Sequence, residues 1–183
     1  MRKFCILSAA FAMLLTAGYS QKIKVGYDKT ADFSKYKSYT LVEPKTPSTR
    51  PLLYESVVGT VRQGLESKGL ANKVTGGDLT IVPSGGFDYG LSTDSTPTAD
   101  SCNNCKAPIA DPQAWVGTTA PAGVGGAPRP RGTLELDFVD SATNKVVWSG
   151  AVSQKLNPDK KSQALEKIGN AIQKLLDEYP PKK

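Results

Sequence analysis

Histidine is absent from this sequence. That removes Ser-His-Asp and Cys-His catalytic arrangements, together with the commonest metal ligand. Cysteine is scarce, with three in the chain at positions 5, 102 and 105. A zinc site built on Cys102 and Cys105 would have only carboxylates to complete its four ligands. No GxxxxGK[ST] phosphate cradle occurs, and the "GVGG" run at 123–126 sits among prolines, not between a strand and a helix. No basic stripe is present either, since the lysines are scattered apart from pairs at Lys160-Lys161 and Lys182-Lys183. Nucleic acid, which needs a basic face able to displace several counterions, is not an expected partner. After residue 15 there is no further long apolar run, so no transmembrane segment is expected in the mature chain.

The N-terminus supplies what the rest withholds. "MRKFCILSAAFAMLLTAGYSQ" opens with Arg2 and Lys3, continues through an apolar run from Phe4 to Leu15, and ends on small residues. That order reads as a secretory signal peptide over residues 1–20, cut between Ser20 and Gln21. The run is too short to span a bilayer. A lipid-acceptor cysteine would stand just after "LTAG", and Tyr19 stands there instead, while Cys5 leaves with the peptide. The expected protein is exported, periplasmic or extracellular, and not lipid-anchored. The formal net charge is +6, and residues 1–20 carry two bases and no acid, which leaves a mildly basic +4.

Residues 21–183 suit a single domain. Tyr54, Val57, Val58, Val61 and Leu65 form one helical stripe, with Pro51 in the first turn and Gly69 as the left-handed residue that ends it. A terminal helix repeats the pattern with Leu165, Ile168, Ile172, Leu175 and Tyr179. Asn157 or Asp159 is placed to cap its start, and Pro180-Pro181 to stop it. Alternating runs predict strands at Ile23–Tyr27, around Tyr39 and Leu41, and at "DLTIV". In "GTLELDFVDSATNKVVWSGAVSQKL" the pattern predicts a hairpin. Leu134, Leu136 and Phe138 face inward with Val146, Trp148 and Val152 returning, and Asn144 takes the left-handed turn position. Residues 83–131, rich in Gly, Pro, Ser, Thr and Ala, read as a flexible insertion. The expected fold is α+β, a two-layer sandwich of a mainly antiparallel sheet of about five strands with two helices on one face.

Three patterns bear on chemistry. Glu135 and Asp137 share one strand face at a spacing that acid–base carboxylates use. Their alternation with Leu134, Leu136 and Phe138 is equally that of a solvated outer face, and this is the expectation. Cys102-Asn103-Asn104-Cys105 admits a redox dithiol, half a metal site, or a staple. No helical stripe surrounds the pair, and no tryptophan precedes it, as a redox motif would have. In an oxidising compartment the two thiols should close into a disulfide. Ser34-Lys35-Tyr36-Lys37 matches S-x-x-K, but it lies in a loop entering a strand and no Lys-Thr-Gly or Ser-Asp-Asn follows.

The order of elements resembles an uncharacterised bacterial envelope family, domain of unknown function 4136. Asp32-Phe33, Tyr36, Tyr39, Leu65, Lys68-Gly69-Leu70 and Asp78 carry the resemblance. So do Gly132-Thr133-Leu134 through Asp140 to Trp148-Ser149-Gly150, and the terminal Tyr179-Pro180. It implies an α+β domain in the envelope, often as a lipoprotein, and supplies no catalytic residues. No catalytic, cofactor-binding or metal-binding residue is therefore assigned. The expected function is a non-catalytic envelope protein that binds an unknown envelope component or small ligand. The alternative is a thiol-redox or hydrolytic enzyme with its site in the 83–131 loop.

Overall fold

The computed structural model describes residues 22–43, 51–88, 116–117, 131–156 and 160–182. Its strands are β1 (Lys22–Tyr27), β2 (Ser38–Leu41), β3 (Ala71–Asn72), β4 (Leu79–Asp88), β5 (Val116–Gly117), β6 (Arg131–Asp140) and β7 (Lys145–Lys155). The helices are α1 (Pro51–Ser67) and α2 (Lys161–Leu176), with a short 3₁₀ turn at Phe33–Lys35. The fold is α+β, as the pattern predicts.

One sheet runs in the order β1-β7-β6-β4-β2-β3, with β5 pairing β4. The long ladders are antiparallel: β1 on β7, β7 on β6, and β6 on β4. The short ones, β2 on β4, β2 on β3 and β5 on β4, are parallel. The sheet has seven strands where the pattern predicts about five. The surplus consists of β3 and β5, each two residues long, too short to display a period in sequence.

Periodicity places the core correctly in most positions. Val57, Val61 and Leu65 of α1 pack with Ala171, Ile172, Leu175 and Leu176 of α2 over Leu79, Ile81, Leu134, Leu136, Phe138 and Trp148 of the sheet. Both helices therefore cover one face. Pro51 opens α1, and Gly69 follows its end at φ 84°, the backbone that glycine adopts without a Cβ penalty. At the start of α2 the cap position is Lys160, which makes no side-chain cap bond; Asn157 and Asp159 lie outside the described residues. Leu165 is a correction: it is 43% exposed, and the buried stripe runs through Ala171, Ile172, Leu175 and Leu176 instead.

The hairpin forms with Asn144 at φ 53°, and one residue alters its faces. Phe138 pairs with Trp148 but Val139 pairs with Val146, which leaves Val147 as the extra residue of a β-bulge. Beyond the bulge the alternation flips. Val147 joins the core, whereas Val146, expected to face inward, lies on the other face with Val82 and Val139.

Two further expectations need correction. The composition predicts a flexible insertion over residues 83–131, yet β4 continues through Pro83 to Asp88 and Arg131 already pairs with Asp88. Glu135 and Asp137 do lie on the face away from the helices, but both are half-buried, not solvated.

Candidate functional site

The residues best placed to form a site gather where β2 and β4 begin and β6 ends. Asp32 opens the 3₁₀ turn, its carboxylate accepting from the Ser34 N–H at 3.0 Å and hydroxyl at 2.7 Å. That turn delivers Lys35 and Tyr36 to Asp140, the last residue of β6. Asp140 Oδ2 accepts from Lys35 Nζ at 2.7 Å and from the Tyr36 hydroxyl at 2.8 Å. Its Oδ1 accepts from the backbone N–H groups of Ala142 and Thr143 at 2.9 and 3.0 Å, the Asx-turn pattern that starts many reversals.

Asp140 is 3% exposed. Burial by itself would raise its carboxyl, but the Lys35 ammonium, the Tyr36 hydroxyl and the two N–H donors outweigh it and hold the group well below the usual carboxylate range. Burial, then the Asp140 hydrogen bond and charge, push the Tyr36 phenol well above its ordinary value. A second carboxylate braces the same end. Asp78 Oδ2 accepts from the N–H groups of Lys37 and Ser38, both at 2.9 Å, and its carbonyl accepts from the Ser141 N–H at 3.0 Å.

Beneath this clasp lies an aromatic stack. Phe33 meets Tyr36 at 6.1 Å and Tyr179 at 5.8 Å; Phe138 meets Tyr179 and Trp148, each at 4.6 Å. Tyr27 adds an edge contact to Phe33 at 6.4 Å. Edge-to-face and tilted rings at these separations add to the energy of burial. Gly150 is required by close approach, because a Cβ there would overlap the Trp148 ring.

The polar atoms of the clasp are spent on one another. Asp140 receives four donors, Tyr36 is held protonated, and Lys35 is paired, so the group offers neither a base nor a nucleophile. The sequence names Tyr36 and Asp140 only as carriers of a family resemblance. Their contact spans 104 positions, and no local pattern announces it.

The Glu135–Asp137 pair sits elsewhere, on the face opposite the helices. Burial, then the Asp137 charge, raises the Glu135 carboxyl; burial raises Asp137 too, tempered by a hydrogen bond from Ser149. A raised carboxyl is what a general acid requires, but the pocket found among the described residues does not include the pair. A cavity of about 30 Å³ lies on the other face, lined by Leu134, Val152, Leu156, Ile168 and Ile172 among others. It has room for about two waters. Among the described residues no group of three His, Cys, Asp or Glu could hold a metal ion. Ser34 of the S-x-x-K match bonds to Asp32, as above. Ser20, Gln21, Cys102 and Cys105 lie outside the described residues.

Comparison with known proteins gives this arrangement a context. The family model described as domain of unknown function (DUF4136) matches residues 23–181. The chain belongs to the DUF4136 family. No curated protein matches it. Among solved structures, the chain is similar to a PDZ domain protein from Parabacteroides distasonis, with 15% identity and a TM-score of 0.56 over 89% of this chain and 37% of that one. This DUF4136 chain thus spans little more than a third of that protein's length. It is also similar to the PelC dodecamer from Paraburkholderia phytofirmans, with 11% identity and a TM-score of 0.49 over 85% of this chain and 96% of that one. At 15% identity the likeness to the PDZ domain protein speaks to fold alone. Among the described residues no helix is long and apolar enough to cross a membrane.

Proposed function

We propose that this DUF4136 chain is an exported, non-catalytic binding or interaction module of the bacterial cell envelope. The observation that carries the reading is where the family-signature residues go. Asp32, Phe33, Tyr36, Asp78, Asp140, Trp148, Gly150 and Tyr179 converge on one clasp and stack, in which the Asp32, Tyr36, Asp78 and Asp140 side chains all bond to neighbouring groups of the fold. A signature that specifies packing in place of a reactive pocket belongs to a scaffold, whose function lies on its surface. Export rests on the Arg2-Lys3 start, the Phe4–Leu15 run and the small residues before Gln21. In this reading residues 1–20 are removed, the mature protein carries no lipid anchor, and Cys102 and Cys105 close a small disulfide.

Fractionation tests the export arm. The mature N-terminus should be Gln21, in the released periplasmic or extracellular fraction. Membrane-bound material resistant to high salt and alkali would overturn the anchor-free reading. Affinity capture from an envelope fraction tests the binding arm, with a specific retained component as the expected result. Thiol titration separates the module from a redox enzyme. The exported protein should show no free thiol, and after reduction neither cysteine should titrate far below the ordinary value of about 8.5. Turnover in a disulfide-exchange assay would refute the non-catalytic reading.

A further inference from the structure

The two edges of the sheet are unequal. One ends in β3, two exposed residues long. The other is β1, six residues with no described neighbour beyond β7. The register fixes which of its backbone groups are used. The Asp28 N–H bonds to the Val147 carbonyl at 2.9 Å. In an antiparallel ladder the bonded pairs recur every second residue, so Gly26–Ser149, Lys24–Ala151 and Lys22–Ser153 are the bonded pairs. The N–H and C=O groups of Ile23, Val25 and Tyr27 therefore point away from β7, toward the open side.

The side chains of β1 sort by face. Ile23, Val25 and Tyr27 are half-buried against the core. Lys22 and Lys24 are exposed on the helix-free face. A second copy adding antiparallel at this edge would bring its own Lys22 and Lys24 to the same face, and the registers that set Lys24 opposite Lys24 or Lys22 oppose pairing by like charge. The lysines thus guard the edge against self-association. The same charge favours a foreign strand with acids on that face and apolar residues on the other.

We propose that β1 is a docking edge for an extended segment of another protein in which acidic and apolar residues alternate. The segment adds as an outer strand, its main chain bonding to Ile23, Val25 and Tyr27 and its carboxylates facing Lys22 and Lys24. The proposal deepens the binding-module reading, on which it rests.

The test titrates the isotope-labelled chain with a synthetic peptide of alternating Val and Glu, and in parallel with its Val–Lys counterpart. Amide exchange at residues 23, 25 and 27 should slow at least about tenfold with the Glu peptide, with little change at 22, 24 and 26, which already bond to β7. Combining Lys22→Glu with Lys24→Glu should reverse the peptide preference by about tenfold. Val25→Pro removes an outward N–H without removing a bond of the β7 ladder, but it also trims a side chain packed on the core, so it should weaken binding well beyond Val25→Ala, which trims the same packing and keeps the N–H. No protection at millimolar Glu peptide would overturn the proposal, as would equal protection by both peptides or pairing of β1 with a second copy. Envelope capture with the parent and the double variant separates the two readings. A component retained equally by both sinks the docking edge and keeps the binding module. Retention of nothing by either sinks the binding module, and the peptide titration still decides the edge.

Discussion

Strand β6 carries Glu135, Asp137 and Asp140 within six residues, and its C-terminal end and its middle treat these carboxylates in opposite ways. At the C-terminal end Asp140 is almost wholly buried, yet four donors converge on it and its carboxyl is pushed down. In the middle of the strand Glu135 and Asp137 are less buried, yet their carboxyls are pushed up, because burial there is met by few donors and, at Glu135, is reinforced by the Asp137 charge. Depth alone does not set the fate of a buried acid; the supply of donors does. One end of the strand holds the sheet to the 3₁₀ turn. The middle carries a latent electrostatic cost.

The comparison is broken most directly at the stack beneath Asp140. Trp148 is fully buried and contacts Phe138 and Tyr179. Trp148→Ala should cost about 3–5 kcal/mol in chemical denaturation. A cost under about 1 kcal/mol would mean the clasp end does not organise the fold.

Asp140→Ala comes next. It strands the Tyr36 hydroxyl and two backbone N–H groups, and a loss of about 2–3 kcal/mol is expected. Lys35 is 53% exposed, so Lys35→Ala should cost less than about 1 kcal/mol. Equal losses would show that the ion pair, and not the hydrogen-bonded network, carries the clasp.

The dependence on pH sharpens the contrast because the signs differ. The Asp140 carboxyl lies lower in the folded protein than in the unfolded chain. Its contribution is complete above the ordinary carboxylate value of about 4 and is lost as the pH falls through the folded value. The stability gap between parent and Asp140→Asn should therefore be constant from neutral pH to about pH 5 and shrink below about pH 4. Acid denaturation monitored by near-ultraviolet dichroism checks this, and a gap that widens in acid would contradict the assigned network.

Much of this architecture is visible in sequence, and the failures share a cause. The α1 stripe and the Leu134–Phe138 run are read correctly because their periods are local. The bulge at Val147 is not legible. In "KVVWSG" every residue from 146 to 148 is apolar, so nothing marks where alternation slips, and one extra residue exchanges the faces of Val146 and Val147. The second half of β4 is hidden by composition, since Pro83, Gly85 and Gly86 read as loop. The register explains why proline is tolerated. The Val42 N–H bonds to the Ile81 carbonyl, so the nitrogen of Pro83, two residues on, faces the β2 side just past the point where β2 ends, and the β6 ladder loses no bond. The clasp was legible only as scattered resemblance. Asp140 as a turn residue is local, but Lys35 and Tyr36 reach it across more than a hundred positions.

The smallest expected effect tests the middle of the strand. Because the Glu135 and Asp137 carboxyls are raised on folding, their charged forms oppose the folded state above the folded-state values. That opposition fades as the pH drops through those values and is gone below the ordinary carboxylate range. Glu135→Gln and Asp137→Asn keep shape and remove charge, so each should leave stability unchanged or raise it by up to about 0.5 kcal/mol at pH 7. Any gain should vanish below about pH 4, where the parent is itself protonated. Asp137→Asn should gain less per unit of charge removed, since it weakens the Ser149 hydrogen bond that already offsets part of the cost. A clear loss of stability at neutral pH in either variant, measured by denaturant unfolding, would mean that the carboxylate has a partner cation. The middle and the C-terminal end of β6 would then be built on the same principle.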